Sequence, residues 1–156
     1  MRITTKGRYA LRAIANLAAT TEGKPKPIKT IAAEESISPE FLEQIFFKMK
    51  KAGIINSVRG PGGGFTIERE FSSITIKEIF LAVEEGLDLT PCTVCTGLEA
   101  EDPCVRMDEC LVNSVWREAS EHILSYFESI ILAAVLEKNQ DQVNLLLQRR
   151  AAAADS

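Results

Sequence analysis

Apolar residues recur at helical spacing near the start of the chain, at Tyr9, Ala10, Ala13, Ile14, Leu17 and Ala18. This i, i+3, i+4 repeat predicts a first helix that begins after Thr4-Thr5 and fades at Thr20-Thr21-Glu22-Gly23. The turn Lys24-Pro25-Lys26-Pro27 leads into a helix of about two turns over Ile28–Glu35. Ser36-Ile37-Ser38-Pro39 then supplies a loop, an N-cap serine and a proline at the first helical position. Phe41, Leu42, Ile45, Phe46 and Met49 mark the helix that follows, and Gly53 stops it. Two short helices in this arrangement, preceded by a longer one, predict a helix-turn-helix.

Beyond Gly53 the pattern changes to short strand-like runs, Ile54–Arg59 and Phe65–Ile67, around Gly60-Pro61-Gly62-Gly63-Gly64. So glycine-rich a hairpin turn reads as a wing. A helix is expected from Thr75 through Ile76, Ile79, Phe80 and Val83 to near Gly86, opened by a capping box in which Glu78 reaches back to the Thr75 amide. Leu87–Glu109 has no periodicity and is longer than connectors usually are, so it is either disordered or organised by what it binds. A long helix from about Leu111 should carry the stripe Val115, Trp116, Ala119, Ile123, Phe127, Ile130, Ile131 and Ala134, with Trp116 in the core. Ala151–Ser156 is expected to fray. The fold class is mainly α with a small β-hairpin wing.

The 156 residues suit one compact unit, and 46% hydrophobic with 26% charged residues excludes a disordered or fibrous chain. The net charge of −4 hides a split: residues 1–60 carry eleven Lys and Arg against five Glu, +6, while residues 61–156 carry seven against seventeen acids, −10. A basic half joined to an acidic half suits a nucleic-acid binder with a separate sensing or assembly half. No apolar run approaches the roughly 18 residues of a membrane span, and the first residues lack a secretory apolar region. The expectation is a cytoplasmic protein with no membrane partner.

On the helix over residues 40–51, Glu40, Glu43, Gln44, Phe47 and Lys51 face away from the apolar arc. Gln44 can pair with adenine in a bidentate way, Glu43 can accept from the cytosine amino group, and Phe47 can touch a thymine methyl. Glu40 and Glu43 can also simply complement the helix dipole. Lys48, Lys50 and Lys51 are placed for phosphates, as are Lys6, Arg8 and Arg12 on the first helix, with Thr4, Thr5 and the first amides as neutral donors. Arg59, at the base of the glycine-rich hairpin, can enter a narrow minor groove.

Four cysteines, Cys92, Cys95, Cys104 and Cys110, are spaced x2, x8 and x5. In a reducing compartment they read as metal ligands or redox thiols more readily than as disulfides. Zinc ribbons want two tight pairs and here only Cys92 and Cys95 form one, so an iron–sulfur cluster fits the spacing better than zinc. A dithiol switch through Cys92 and Cys95, or free surface thiols, are the other readings. A thiol–disulfide oxidoreductase lacks its usual βαβ setting, so no enzyme is expected. The lone His122 reads as a surface or interface residue.

Met1-Arg2-Ile3-Thr4-Thr5-Lys6-Gly7-Arg8-Tyr9-Ala10, Phe41-Leu42-Glu43-Gln44-Ile45-Phe46, Ser57-Val58-Arg59-Gly60-Pro61-Gly62-Gly63-Gly64, and Cys104-x5-Cys110 followed by Trp116 together resemble the IscR and NsrR type of winged-helix regulator, over about residues 1–136. The resemblance implies a homodimer through the long helix, two recognition helices reading a partly palindromic double-stranded DNA operator, and an iron–sulfur cluster that changes DNA affinity. It implies that Arg59, Ser38, Glu43 and Gln44 contact DNA. It divides the chain into a winged helix-turn-helix (1–86), a cluster-binding loop (87–110), a dimerisation helix with a C-terminal helix (111–150) and a tail (151–156). Asn113 stands where one branch of the family has a histidine ligand, and Arg8 where another has a carboxylate. Cys92, Cys95, Cys104 and Cys110 then form an all-cysteine site, or only one of Cys92 and Cys95 ligates. A [2Fe-2S] cluster is favoured over [4Fe-4S], with zinc behind both; the alternative is a cluster-free repressor of the same fold that senses thiol chemistry or a metabolite.

Overall fold

The computed structural model describes residues 3–20, 23–93, 104–106 and 109–154. In chain order they form α1 (Thr5–Thr20), α2 (Ile28–Glu35), α3 (Pro39–Lys51), β1 (Asn56–Val58), β2 (Gly64–Thr66), a 3₁₀ turn (Phe71–Ser73), α4 (Ile76–Ala82), α5 (Asn113–Ser129), α6 (Leu132–Lys138) and α7 (Gln140–Ala154). Among the described residues no helix is long and apolar enough to cross a membrane.

The core forms where the apolar arcs of the first three helices meet. Ala10, Ala13, Ile14 and Leu17 of α1, Ile31 of α2, and Leu42, Ile45, Phe46 and Met49 of α3 are buried with Ile74, Ile79, Val83 and Leu87. Burial of this apolar surface is the main drive for the helical head. Ile54 and Ile55, expected to open the first strand, instead fill the core, so the hairpin is shorter than the pattern suggested. Its register pairs Asn56 with Thr66, Ser57 with Phe65 and Val58 with Gly64.

A buried lysine anchors the wing, a feature that turn composition did not reveal. The Lys26 main chain exchanges two 2.9 Å hydrogen bonds with Phe65, adding a one-residue third strand. Its ammonium donates to Asn16 Oδ1 at 2.7 Å, Thr20 Oγ1 at 2.8 Å and Glu34 Oε2 at 2.6 Å. All three donors are satisfied, which is what makes a buried cation tolerable. Gly64 permits this seam, because a Cβ there would lie 2.3 Å from the Lys26 carbonyl.

The expected long C-terminal helix is divided. Ile130 and Ile131 are extended because their backbone pairs with the extended residues that open α4: Ile76 N donates to Ile130 O at 2.9 Å and Leu132 N to Ile74 O at 2.8 Å. Two consecutive β-branched residues favour that conformation. Leu124 and Leu132 thereby reach the core, and Phe80 meets Phe127 edge to face at 5.1 Å. Trp116, expected in the core, is 42% exposed, on the outer face of α5 with Val112, Val115 and Tyr126. α7 continues through Ala154, into the segment expected to fray, as the high helix propensity of alanine allows.

Candidate nucleic-acid interface and cysteine segment

α3 has the two faces that its sequence predicts. Leu42, Ile45, Phe46 and Met49 are buried, while Glu43, Gln44, Phe47 and Lys51 are exposed, Phe47 by 69%. Ser38 caps the helix, its Oγ accepting from Phe41 N at 3.3 Å, and stays exposed. As an acceptor in the cap it keeps its own O–H proton free for an outside acceptor. Ser38→Ala is expected to cost about 1 kcal/mol of stability, the usual worth of a cap, measured by urea unfolding. Arg59 follows β1 directly and is exposed, on the hairpin that Lys26 anchors.

The basic residues divide by partner. Arg12, expected on phosphates, instead clamps α1 to α2: its Nε donates to Glu35 Oε2 at 3.1 Å, its Nη2 to Glu35 O, and its guanidinium lies 5.4 Å from the Tyr9 ring centroid. Arg8 is exposed and bonded to Thr5 Oγ1 at 3.3 Å. Lys50 donates to Ser57 Oγ of the wing at 2.5 Å. Lys48 pairs with the Glu84 carboxylate, and Lys6 donates to the Glu84 carbonyl at 3.0 Å. The Glu84 carboxyl is held below its usual value near 4.5, first by the Lys48 hydrogen bond, then by the charges of Lys48, Lys6 and Lys51. A depressed carboxylate contributes above its unfolded value and loses that contribution as pH falls through the folded one, so Glu84 stays ionised at neutral pH.

Glu85, the next residue, is fully buried against the start of α1. It accepts from Thr4 N at 2.7 Å, from the Thr4 hydroxyl, and from Gly7 N at 3.0 Å. The Thr4 hydroxyl and two of the first backbone amides, expected to serve DNA phosphates, are thus occupied by the protein's own carboxylate. A Cβ on Gly7 would lie 2.5 Å from Glu85 Oε2, so only glycine admits this contact. The capping box at α4 also closes on one side only. Thr75 Oγ1 accepts from Glu78 N at 3.1 Å, but the Glu78 carboxylate turns to Arg69.

Two carbonyls of the cysteine segment converge on Asn113. Its Nδ2 donates to Cys92 O at 3.5 Å and its N to Cys110 O at 3.2 Å. Cys92 Sγ lies 3.0 Å from Thr90 Oγ1, in a turn held by buried Thr93 and Ser120 of α5. Beside Cys110 is a cavity of about 300 Å³ lined by Arg106, Glu109, Cys110, Leu111 and Val112. Cys104 is exposed, and Cys95 lies outside the described residues. Among the described residues no three His, Cys, Asp or Glu side chains lie close enough to share a metal ion. His122 is exposed.

The Rrf2 family profile, described as "Iron-dependent Transcriptional regulator", matches residues 3–138. The chain belongs to the Rrf2 family. It is similar to the HTH-type transcriptional regulator IscR of Klebsiella pneumoniae, 36% identical over 140 residues that cover 90% of this chain and 82% of that one. IscR of Xenorhabdus nematophila is 37% identical over 145 residues, 93% and 84% of the two chains. Among solved structures, T. potens IscR superposes with a TM-score of 0.69 at 28% identity over 88% of each chain. CymR, described as the global cysteine regulator of B. subtilis, gives 0.68 at 27% identity over 89% and 98%. This Rrf2 protein is a DNA-binding transcription regulator with a winged-helix fold, not an enzyme.

Proposed function

We propose that this Rrf2 regulator binds a partly palindromic operator as a homodimer, and that an iron–sulfur cluster held by the cysteine segment sets its operator affinity. α3 enters the major groove, where Glu43 and Gln44 read base edges, Ser38 donates to DNA, and Lys6, Lys48 and Lys51 meet phosphates. Arg59 on the wing enters the minor groove. The outer stripe of α5, with Val112, Val115, Trp116 and Tyr126, supports a dimer, since a second copy would cover this row of apolar side chains.

The observation that carries the cluster reading is the junction at Asn113, which ties the backbones of Cys92 and Cys110 together beside a cavity. Soft thiols are the donors that iron–sulfur clusters use, so the residues present fit such a group in chemistry. Cys92, Cys104 and Cys110 do not converge among the described residues, so they would have to draw together to hold it, with Cys95 the candidate fourth thiolate, and a [2Fe-2S] form is favoured. When bound, the cluster supplies a redox-responsive centre. Cluster gain or loss would then be felt at both ends of the cysteine segment, at Glu85 under α1 and at Asn113 heading α5. Purification without oxygen, followed by visible absorbance with iron and sulfide analysis, tests this reading. A colourless, iron-free protein that binds its operator rejects it.

That rejection would favour the second reading, a cluster-free repressor sensing thiol chemistry or a metabolite. The structural likeness to CymR, described as a global cysteine regulator, favours a metabolite-linked signal for it. The DNA arrangement has its own check. Arg59→Ala is expected to weaken binding by about 1–3 kcal/mol on operators with an A·T-rich flank and less on G·C-rich ones, in fluorescence-anisotropy titrations. Equal loss on both would make Arg59 a phosphate contact.

A further inference from the structure

The three lysines assigned to phosphates gather around a single acidic residue. Lys48 and Lys51 come from the last turn of α3 and Lys6 from the first turn of α1, while Glu84 leaves the end of α4 between them. Lys48 Nζ pairs with the Glu84 carboxylate, and Lys6 Nζ donates to its carbonyl at 3.0 Å. Glu84 reaches this place with φ of +56°, a left-handed conformation unusual for a side-chain-bearing residue, which needs support from its surroundings. The pair is open to water, with Lys48 32% and Glu84 58% exposed, so it adds little to folding and breaks easily. An anion paired with Lys48, with Lys6 on the carbonyl of the same residue and the charge of Lys51 felt nearby, and cheap to release, is the arrangement that a DNA phosphate would replace.

We propose that Glu84 is an internal stand-in for a DNA phosphate, neutralising Lys6, Lys48 and Lys51 in the free regulator and giving them up when the backbone of the operator arrives. Glu84 thereby weakens binding to every sequence alike. It keeps the head from sticking to arbitrary DNA and leaves discrimination to the base-reading face. The residue also sits three positions before Leu87, where the cysteine segment begins. The inference rests on the reading of α3 as the helix that faces DNA.

The test uses the full-length protein and a fluorescein-labelled duplex of arbitrary sequence, because phosphate contacts do not depend on sequence. Affinity is measured across a fourfold range of salt for the wild type, Glu84→Gln, Lys48→Ala and the double variant. Glu84→Gln should tighten binding, with a log–log salt slope steeper by up to about 0.9, which is ~3.5-fold in affinity over that range. The gain should shrink on the Lys48→Ala background. A melting temperature unchanged in Glu84→Gln shows that the head is intact. Unchanged affinity and slope, or a gain equally large without Lys48, overturns the proposal. Gln44→Ala on a selected operator separates this from failure of the underlying reading: if it binds like the wild type, α3 does not face DNA.

Discussion

Replacing Glu85 with alanine is expected to lower stability by about 3 kcal/mol, since hydrogen bonds to a buried charged group are worth roughly 1.5–3 kcal/mol each and their loss leaves buried donors unpaired. The Gly7 amide is buried and would lose its acceptor, and the start of α1 would lose the negative charge that complements its dipole. For a chain of this length the drop corresponds to a melting point lower by roughly 6–12 °C in a calorimetric scan. Gly7→Ala should act in the same direction, because its methyl would lie 2.5 Å from Glu85 Oε2 and push the carboxylate away. A Glu85→Ala protein that melts with the wild type would show that this carboxylate does not anchor α1. Gly7→Ala tests the close approach of Glu85 separately.

The second large effect concerns the cysteine segment. Cys110→Ala and Cys104→Ala are each expected to remove most of the bound iron and to erase the difference in operator affinity between cluster-bound and cluster-free protein. A coupling of 1–3 kcal/mol corresponds to roughly 5-fold to 150-fold control, and the ratio should collapse toward one. Cys110 is placed next to the cavity, and its carbonyl accepts from Asn113 N, so its loss removes a donor at that junction. Iron content, visible absorbance and operator titrations of the same samples give the result. Retention of both absorbance and control in either variant would exclude that cysteine from the site.

Both predictions rest on residues that the sequence displays unequally. The faces of α3 were legible because a 3.6-residue period sorts Leu42, Ile45, Phe46 and Met49 from Glu43, Gln44 and Phe47 without reference to any other element. The Ser38 cap and Pro39 start were legible for the same reason, since both act within one turn. In the sequence Lys48 and Arg12 look like free cations, because their partners, Glu84 and Glu35, lie 36 and 23 residues away. The division between α5 and α6 was hidden as well. The apolar stripe runs unbroken through Ile130 and Ile131, and only pairing with Ile74 and Ile76 draws them out of a helix.

By itself, the sequence determined the helical head, its glycine-rich hairpin, the exposed face of α3 and the spacing of the thiols, because local periodicity, capping and turn chemistry act over a few residues. The tertiary structure decided which charges are spent internally. It placed Glu84 among three lysines, buried Glu85 beneath α1, and closed Lys26 around three oxygens behind the wing. Burial and charge pairing depend on the distance between groups in space, and that distance exists only after the core has brought α1, α3 and α4 together.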